Sequence, residues 1–268
     1  MNLETMEIVD YGVCRQALVS VRISPDDRTE QVSQLLFGDH YEVLQFSDNK
    51  KWIRIRIHAD QYEGWIDVKQ HHAITREYFD QINQANFKIT TDLATGILYK
   101  KSALTILMGS IVPISNSELF KVEEQLAFNG ESKSLGQKRE IEFIKTIALK
   151  YLNAPYQWGG KSPFGIDCSG FVQMVYKISG YSLPRDASQQ IKVGKHVKSI
   201  GESKVGDLAF FHNKEKKIVH VGMIMDEEKI IHASGQVRID YLNEEGILHI
   251  DTKVYTHQIA EIRRIVNL

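Results

Sequence analysis

The chain has 268 residues, with 33 basic and 34 acidic side chains giving a formal net charge of −1, and 43% of its residues are hydrophobic. This is the balance of a soluble globular protein, and it gives no electrostatic reason to expect nucleic acid or an anionic membrane as partner. No apolar run approaches the ~20 residues of a membrane helix, and two cysteines, Cys14 and Cys168, exclude a disulfide-built secreted scaffold. The first residues, MNLETMEIVDYG, lack a basic start, an apolar stretch and a small-residue cleavage site. The expectation is therefore a cytoplasmic protein if the chain is full length, or a periplasmic one if a leader has been removed.

Up to about residue 135, short strand-like runs alternate with turn signals. In 51–58, Ile53, Ile55 and Ile57 face one way and Arg54, Arg56 and His58 the other, the period of a half-buried strand. Val19, Val21 and Ile23 repeat that pattern, and Gly64-Trp65-Ile66 opens another strand. A weak internal repeat runs through this half. Leu35-Leu36-Phe37-Gly38 precedes an apolar stretch from Tyr41 to Phe46, as Ile106-Leu107-Met108-Gly109 precedes Ile111 to Ile114. Ser47-Asp48-Asn49 then leads to Trp52, as Ser115-Asn116-Ser117 leads to Phe120. The reading is two related β modules of roughly 60–70 residues, at 1–74 and 75–134, followed by a third domain at 135–268.

After the Asn129-Gly130 turn, the polar stretch 131–139 reads as a linker. Ile141, Ile144, Ile147, Ala148, Tyr151 and Leu152 then fall on one helical face, and Pro155 ends that helix. A second amphipathic helix starts at Cys168 or Ser169 and carries Phe171, Val172, Val175, Tyr176 and Ile178 inward, with Gly180 suited to its C-terminal cap. Strands are expected at 207–211, 219–225 and 229–232, the last two joined by a turn at 226–229. Helices followed by an antiparallel sheet make this an α+β domain.

Cys168 follows a turn-rich approach and starts a helix, where backbone N–H groups and the helix dipole favour the thiolate, the attacking form of cysteine. His220 and His232 stand twelve positions apart on two strands of one expected hairpin. If those strands pair, one imidazole can take the thiol proton while the other orients it. One cysteine and two histidines also suit zinc, but the close local pairs of compact zinc motifs are absent. The expectation is no metal and no cofactor.

Five blocks carry a resemblance: Tyr156-Gln157-Trp158-Gly159-Gly160, Gly165-Ile166-Asp167-Cys168-Ser169-Gly170-Phe171-Val172, Gly206-Asp207-Leu208, His220-Val221-Gly222 and Ile231-His232-Ala233. In order and spacing they resemble the NlpC family of bacterial cell-wall cysteine peptidases, over about 137–268. The resemblance implies an α+β protein in which two small SH3-like β-barrels precede a papain-like catalytic domain. It implies Cys168 as nucleophile, His220 as base, His232 as orienting residue and Tyr156 as an oxyanion donor.

With its upstream modules the chain resembles the dipeptidyl-peptidase VI subgroup of γ-D-glutamyl-L-diamino acid endopeptidases. There the first module closes one end of the cleft, so that a murein peptide with a free N-terminal L-alanine fits. Pro184-Arg185-Asp186 matches the subgroup's acidic site, with Asp186 on the alanine ammonium and Asp167 and Ser169 on the rest of the dipeptide. Tyr62 and Glu30 resemble the first module's contributions. Ala187 departs from the subgroup, which has a serine there; Ser188 is a candidate replacement. Two other readings remain open on the same residues, a murein- or peptide-binding protein and an amidase or acyltransferase. The partner expected is a murein peptide, with no nucleic acid and no membrane span; the sequence does not fix the oligomeric state and is compatible with a monomer.

Overall fold

The computed structural model describes residues 7–84, 87–115, 120–121, 125–226 and 228–266. They form two compact units, one ending at Gln137 and the other beginning at Lys138. Among the described residues no helix is long and apolar enough to cross a membrane.

The first unit opens with seven strands: β1 Asp10–Val13, β2 Leu18–Arg22, β3 Gln31–Leu36, β4 His40–Phe46, β5 Trp52–Ile57, β6 Glu63–Asp67 and β7 Ala73–Ile74. They form one antiparallel sheet in the order β3-β2-β6-β5-β4-β1-β7. Alternation decides the faces. Ile53, Ile55 and Ile57 pack inward with Val19, Val21, Tyr41, Val43 and Ile66. Arg54 and Arg56 stay outside and pair with Glu63 at 2.8 Å. Cys14 is fully buried among the apolar residues, as suits a small apolar side chain. Ile23, expected on the strand with Val19 and Val21, lies one residue past the end of β2 and is exposed.

Helix α1, Arg76–Gln84, follows. The alternating reading of the first half missed it, although Phe79 and Ile82, three apart, give it one buried face. Seven further strands come next: β8 Phe87–Thr90, β9 Ala94–Tyr99, β10 Ser102–Leu107, β11 Ile111–Ser115, β12 Phe120–Lys121, β13 Leu126–Phe128 and β14 Ser132–Ser134. Five of the six pairings of the first seven recur among them; β4–β5 has no counterpart among the described residues, and the second set lies in two sheets, β10-β9-β13-β12 and β11-β8-β14. β1–β4, β1–β7, β2–β3, β2–β6 and β5–β6 recur as β8–β11, β8–β14, β9–β10, β9–β13 and β12–β13. The repeat extends to single hydrogen bonds. Gly38 N–H donates to Cys14 C=O and Gly109 N–H to Thr90 C=O. Both glycines have φ near +85°, at 84° and 88°, which the tight turn requires. Asn116 and Ser117, which entered the sequence repeat, lie outside the described residues.

The two modules share packing. Phe37, from the turn after β3, is buried in the second module's core with Ile97, Ile106, Val112, Ile114, Leu126 and Phe128. The expected linker at 131–139 is partly strand. β14 pairs with β8, and Leu135 N–H continues the contact to Phe87 C=O. Its alternating polar residues hid a short edge strand.

The second unit contains α2 Ile141–Lys150, a small hairpin of β15 Lys161–Ser162 and β16 Gly165–Ile166, α3 Cys168–Ile178 and α4 Ala187–Gln190. Strands β17 Lys195–Val197, β18 Leu208–His212, β19 Ile218–Asp226, β20 Lys229–Ser234, β21 Gln236–Asn243, β22 Gly246–Leu248 and β23 Tyr255–Arg264 complete it. β18 to β23 are antiparallel neighbours in the order β23-β18-β19-β20-β21-β22, and β22 also pairs with β23, so six strands close into a ring. Glu227, in the expected 226–229 turn, lies outside the described residues. Ala209, Phe211, Ile224, Ile230, Leu242, Ile247 and Ile262 share a core. α3 packs against β19, β20 and α2, and every residue of it except Lys177 is buried.

Candidate active site

The site grows from the start of α3. Asp167 is its N-cap, and its side chain accepts from Gly170 N–H at 2.7 Å. The same carboxylate accepts from Gly159 N–H at 2.9 Å, from Ser169 Oγ at 3.3 Å and from both terminal nitrogens of Arg185. Ser169 Oγ also accepts from Arg185 Nη1 at 2.9 Å. Five donors on one carboxylate fill its acceptor capacity. The carboxylate of Asp167 is thus taken up in holding the approach loop, the helix start and Arg185 together.

Cys168 is thereby fixed at the first turn of α3, facing β19, where the N–H groups of Val221 and Ser169 act on its sulfur. Burial nevertheless pushes its thiol up to about 12, with the charge of Asp167 acting in the same direction. The thiolate expected from the helix N-terminus gives way to a protonated thiol, because desolvation of a buried sulfur exceeds the help of two amides and Arg185.

His220 and His232 come together as expected, and the strand register explains how. His232 on β20 lies opposite Gly222 on β19, two residues beyond His220 on the same face. The imidazoles are diagonal neighbours, with His220 Nε2 2.8 Å from His232 Nδ1. Gly222 makes this possible: a Cβ there would come within 2.8 Å of the His232 Cβ and 2.7 Å of the Ile230 side chain. The diagonal continues one strand further. His232 lies opposite Arg238 on β21, and its Nε2 is 3.0 Å from Oδ2 of Asp240. Burial lowers the pKa of both histidines, that of His220 well below its ordinary value. Burial raises Asp240, but hydrogen bonds from His232, Arg238 and the Ile250 N–H outweigh it and hold that carboxyl below its usual range.

Tyr156 is anchored by its N–H to Gly235 C=O at 2.9 Å, between the β20–β21 turn and β16. Burial first, then the nearby charges of Cys168 and Asp167, push its phenol up to about 12, so it remains a hydrogen-bond donor. Asp186 precedes α4 and makes no side-chain capping bond to that helix. Ala187 beside it is buried and Ser188 is exposed. In the other unit, Tyr62 is half-buried against the core of the first module, and Glu30 is exposed just before β3.

Residues 153–256 match the NlpC/P60 family, and residues 21–70 match the bacterial dipeptidyl-peptidase SH3 domain. The γ-D-glutamyl-L-lysine dipeptidyl-peptidase of Bacillus subtilis (strain 168) is 30% identical over 249 residues, 87% of this chain and 80% of that one. The chain belongs to the NlpC/P60 family. A second relative, dipeptidyl-peptidase 6 of Lysinibacillus sphaericus, is 27% identical over 259 residues, 87% of this chain and 92% of that one. A solved NlpC/P60 family protein from Bacillus cereus ATCC 10987 has a TM-score of 0.81 at 20% identity, covering 96% of this chain and all of that one, which shows a shared fold. The protein is a cysteine-type peptidase of the NlpC/P60 peptidoglycan-hydrolase kind, with an SH3 domain towards its N-terminus.

Four residues of this NlpC/P60 site escaped the sequence reading. Asp240 and Arg238 alternate on β21 as Val237-Arg238-Ile239-Asp240, and two charges on one strand face were the available signal. Arg185, 1% exposed, was passed over beside Asp186. His257 stacks on His220 with ring centres 4.1 Å apart and planes 22° apart. It comes from β23, 37 residues further along the chain, and no local pattern announced it.

Proposed function

We propose that the protein hydrolyses the γ-D-glutamyl–L-diamino acid bond of murein peptides that carry a free N-terminal L-alanine, releasing L-Ala-D-Glu. The observation that carries this reading is a helix-start cysteine facing the strand of His220, itself hydrogen-bonded to His232. The names of the relatives supply the substrate class. Cys168 attacks the γ-carbonyl of D-Glu as its proton passes to His220, giving a tetrahedral oxyanion. The Cys168 N–H and the Tyr156 hydroxyl donate to that oxyanion, an arrangement worth about 3 kcal/mol per donor in other hydrolases. His220 returns the proton to the leaving amine of the diamino acid, and a thioester to Cys168 remains. Water, deprotonated by His220, attacks that thioester, regenerates the thiol and frees the dipeptide.

The starting pair is a neutral thiol and a neutral imidazole, because burial opposes the charged form of both. Proton transfer then accompanies attack. Asp186 is the carboxylate for the alanine ammonium, which must exchange water for an ionic partner. Asp167 and Ser169 serve the dipeptide by holding the loop that presents Cys168, and Ser169 keeps acceptor capacity for the peptide.

The test is hydrolysis of L-Ala-γ-D-Glu-L-Lys and its diaminopimelate analogue, read by mass spectrometry, with N-acetylated peptides and the Cys168→Ala protein alongside. Release of L-Ala-D-Glu only from free-amine peptides, and only by the unaltered protein, supports the reading. Equal cleavage of acetylated peptides removes the free-amine requirement, and with it the roles of Asp186, Glu30 and Tyr62. Binding without turnover, or transfer to a second amine, would replace hydrolysis by the binding or acyltransfer reading.

A further inference from the structure

The hydrogen-bonded line through the two histidines ends on a carboxylate whose other partners are all donors. Asp240 Oδ2 faces His232 Nε2 at 3.0 Å and Arg238 Nε at 2.8 Å. Its Oδ1 accepts from Arg238 Nη2 at 3.0 Å and from the Ile250 N–H at 2.8 Å. Asp240 and His232 are each 1% exposed, so no bulk water competes.

We propose that Asp240 is a positioning residue that sets the tautomers of both His232 and His220 and so leaves the lone pair of His220 Nδ1 as the base. The inference rests on reading Cys168 as the nucleophile and His220 as its base. A carboxylate only accepts, so the proton of neutral His232 sits on Nε2. His232 Nδ1 is then an acceptor, and the nitrogen 2.8 Å from it, His220 Nε2, donates. A neutral imidazole has one N–H, so His220 Nδ1 is bare. Without the carboxylate, the same two rings satisfy one another equally well in the reverse sense, with a proton on His220 Nδ1 and no base for the thiol. Arg238 and the Ile250 N–H complete the device: four donors on two oxygens exclude a protonated carboxyl, which would itself donate to His232.

Asp240→Asn turns this logic into a test. If the amide NH2 replaced Oδ1, it would oppose two donors, Arg238 Nη2 and the fixed Ile250 N–H. If it replaced Oδ2, it would oppose only Arg238 Nε, on a side chain that reaches solvent. The amide therefore turns its NH2 toward His232 and imposes the wrong tautomer on both rings. Asp240→Ala imposes neither.

The expected result is a kcat lowered on the order of 10²- to 10⁴-fold in Asp240→Asn, with KM changed by less than about threefold. Asp240→Ala should lose less activity while losing more thermal stability. A purely structural carboxylate would give the opposite order of activities, because asparagine is the near-isosteric replacement. Nitrogen NMR of the Cys168→Ala protein provides a direct reading that needs no change at Asp240. The proton should reside on Nε2 of both His220 and His232, and should move to Nδ1 of both when Asp240→Asn is added. A proton on His220 Nδ1 with Asp240 intact overturns the proposal, as does an Asp240→Asn enzyme of near-normal kcat. Undiminished turnover by Cys168→Ala would instead overturn the reading of the nucleophile, while the NMR still decides the tautomers.

Discussion

The guanidinium of Arg185 grips both carboxylate oxygens of Asp167, the residue that caps the helix bearing Cys168. One terminal nitrogen bonds Oδ1 at 3.0 Å and the other bonds Oδ2. Arg185 is 1% exposed and Asp167 6%. The pair ties the Pro184-Arg185-Asp186 segment to the loop that presents Cys168. Removing the cation leaves a buried carboxylate without its counter-charge, a loss of about 3–5 kcal/mol in comparable buried pairs. Arg185→Met should therefore lower the unfolding free energy of the second unit by that order, read from denaturant titration. Arg185→Lys should recover only part of the loss, since an ammonium cannot bond both oxygens in one plane. An Arg185→Met protein as stable as the parent would remove Arg185 from this role.

The protonation of Cys168 can be read by alkylation. With the thiol pushed up to about 12, its rate of reaction with iodoacetamide should climb through the alkaline range without a plateau near neutrality. Cys14 is fully buried and adds no signal in the folded protein. A rate that is flat from pH 6 to 8 would mean a resting thiolate–imidazolium pair and would restore the expectation from the helix terminus.

The pH dependence has a definite sign. With His220 as the proposed neutral base, activity requires pH above its pKa, and burial places that pKa well below ordinary imidazole. The acid limb of kcat/KM should fall below pH 6.5. Protonating His257, held down to about 4 chiefly by burial, would add a charge on the face of His220 and deepen the loss there. Stability follows the same direction. His220 and His232 bind protons more readily unfolded than folded, so stability is full above the unfolded pKa and falls as pH drops below it, by up to about 1.4 kcal/mol per pH unit for each ring. Unfolding midpoints measured from pH 7.5 to 4.5 check the slope; a midpoint that rises with acid contradicts it.

Gly222 is opposite His232 for a steric reason, and Gly222→Ala should show it. The added methyl meets Ile230 and His232 at 2.7–2.8 Å. Overpacking of this kind costs roughly 1–3 kcal/mol. Because one of the atoms that must yield belongs to His232, kcat should fall by about tenfold or more. Thermal unfolding and steady-state kinetics on the same preparation separate the two effects. Lost stability with unchanged kcat would mean that Ile230 alone gives way.

The sequence by itself singled out Cys168, His220 and His232 and the helix and two strands that carry them. Helix and strand periods expose a buried stripe wherever one face is buried, as in α3 and β5. The blocks around Cys168, His220 and His232 are local, because each element must place its own residue. The repeat of the first unit was legible because a tight turn needs glycine at Gly38 and again at Gly109. Tertiary structure decided what proximity decides. It placed α1 between the modules, made β14 a strand by pairing it with β8, and closed six strands into a ring. That closure stacked His257 of β23 on His220, and the register within the ring lined Asp240 up behind His232. Burial in the same place opposes the thiolate expected of Cys168, because the cost of desolvation depends on what surrounds a group, and chain order does not record the surroundings.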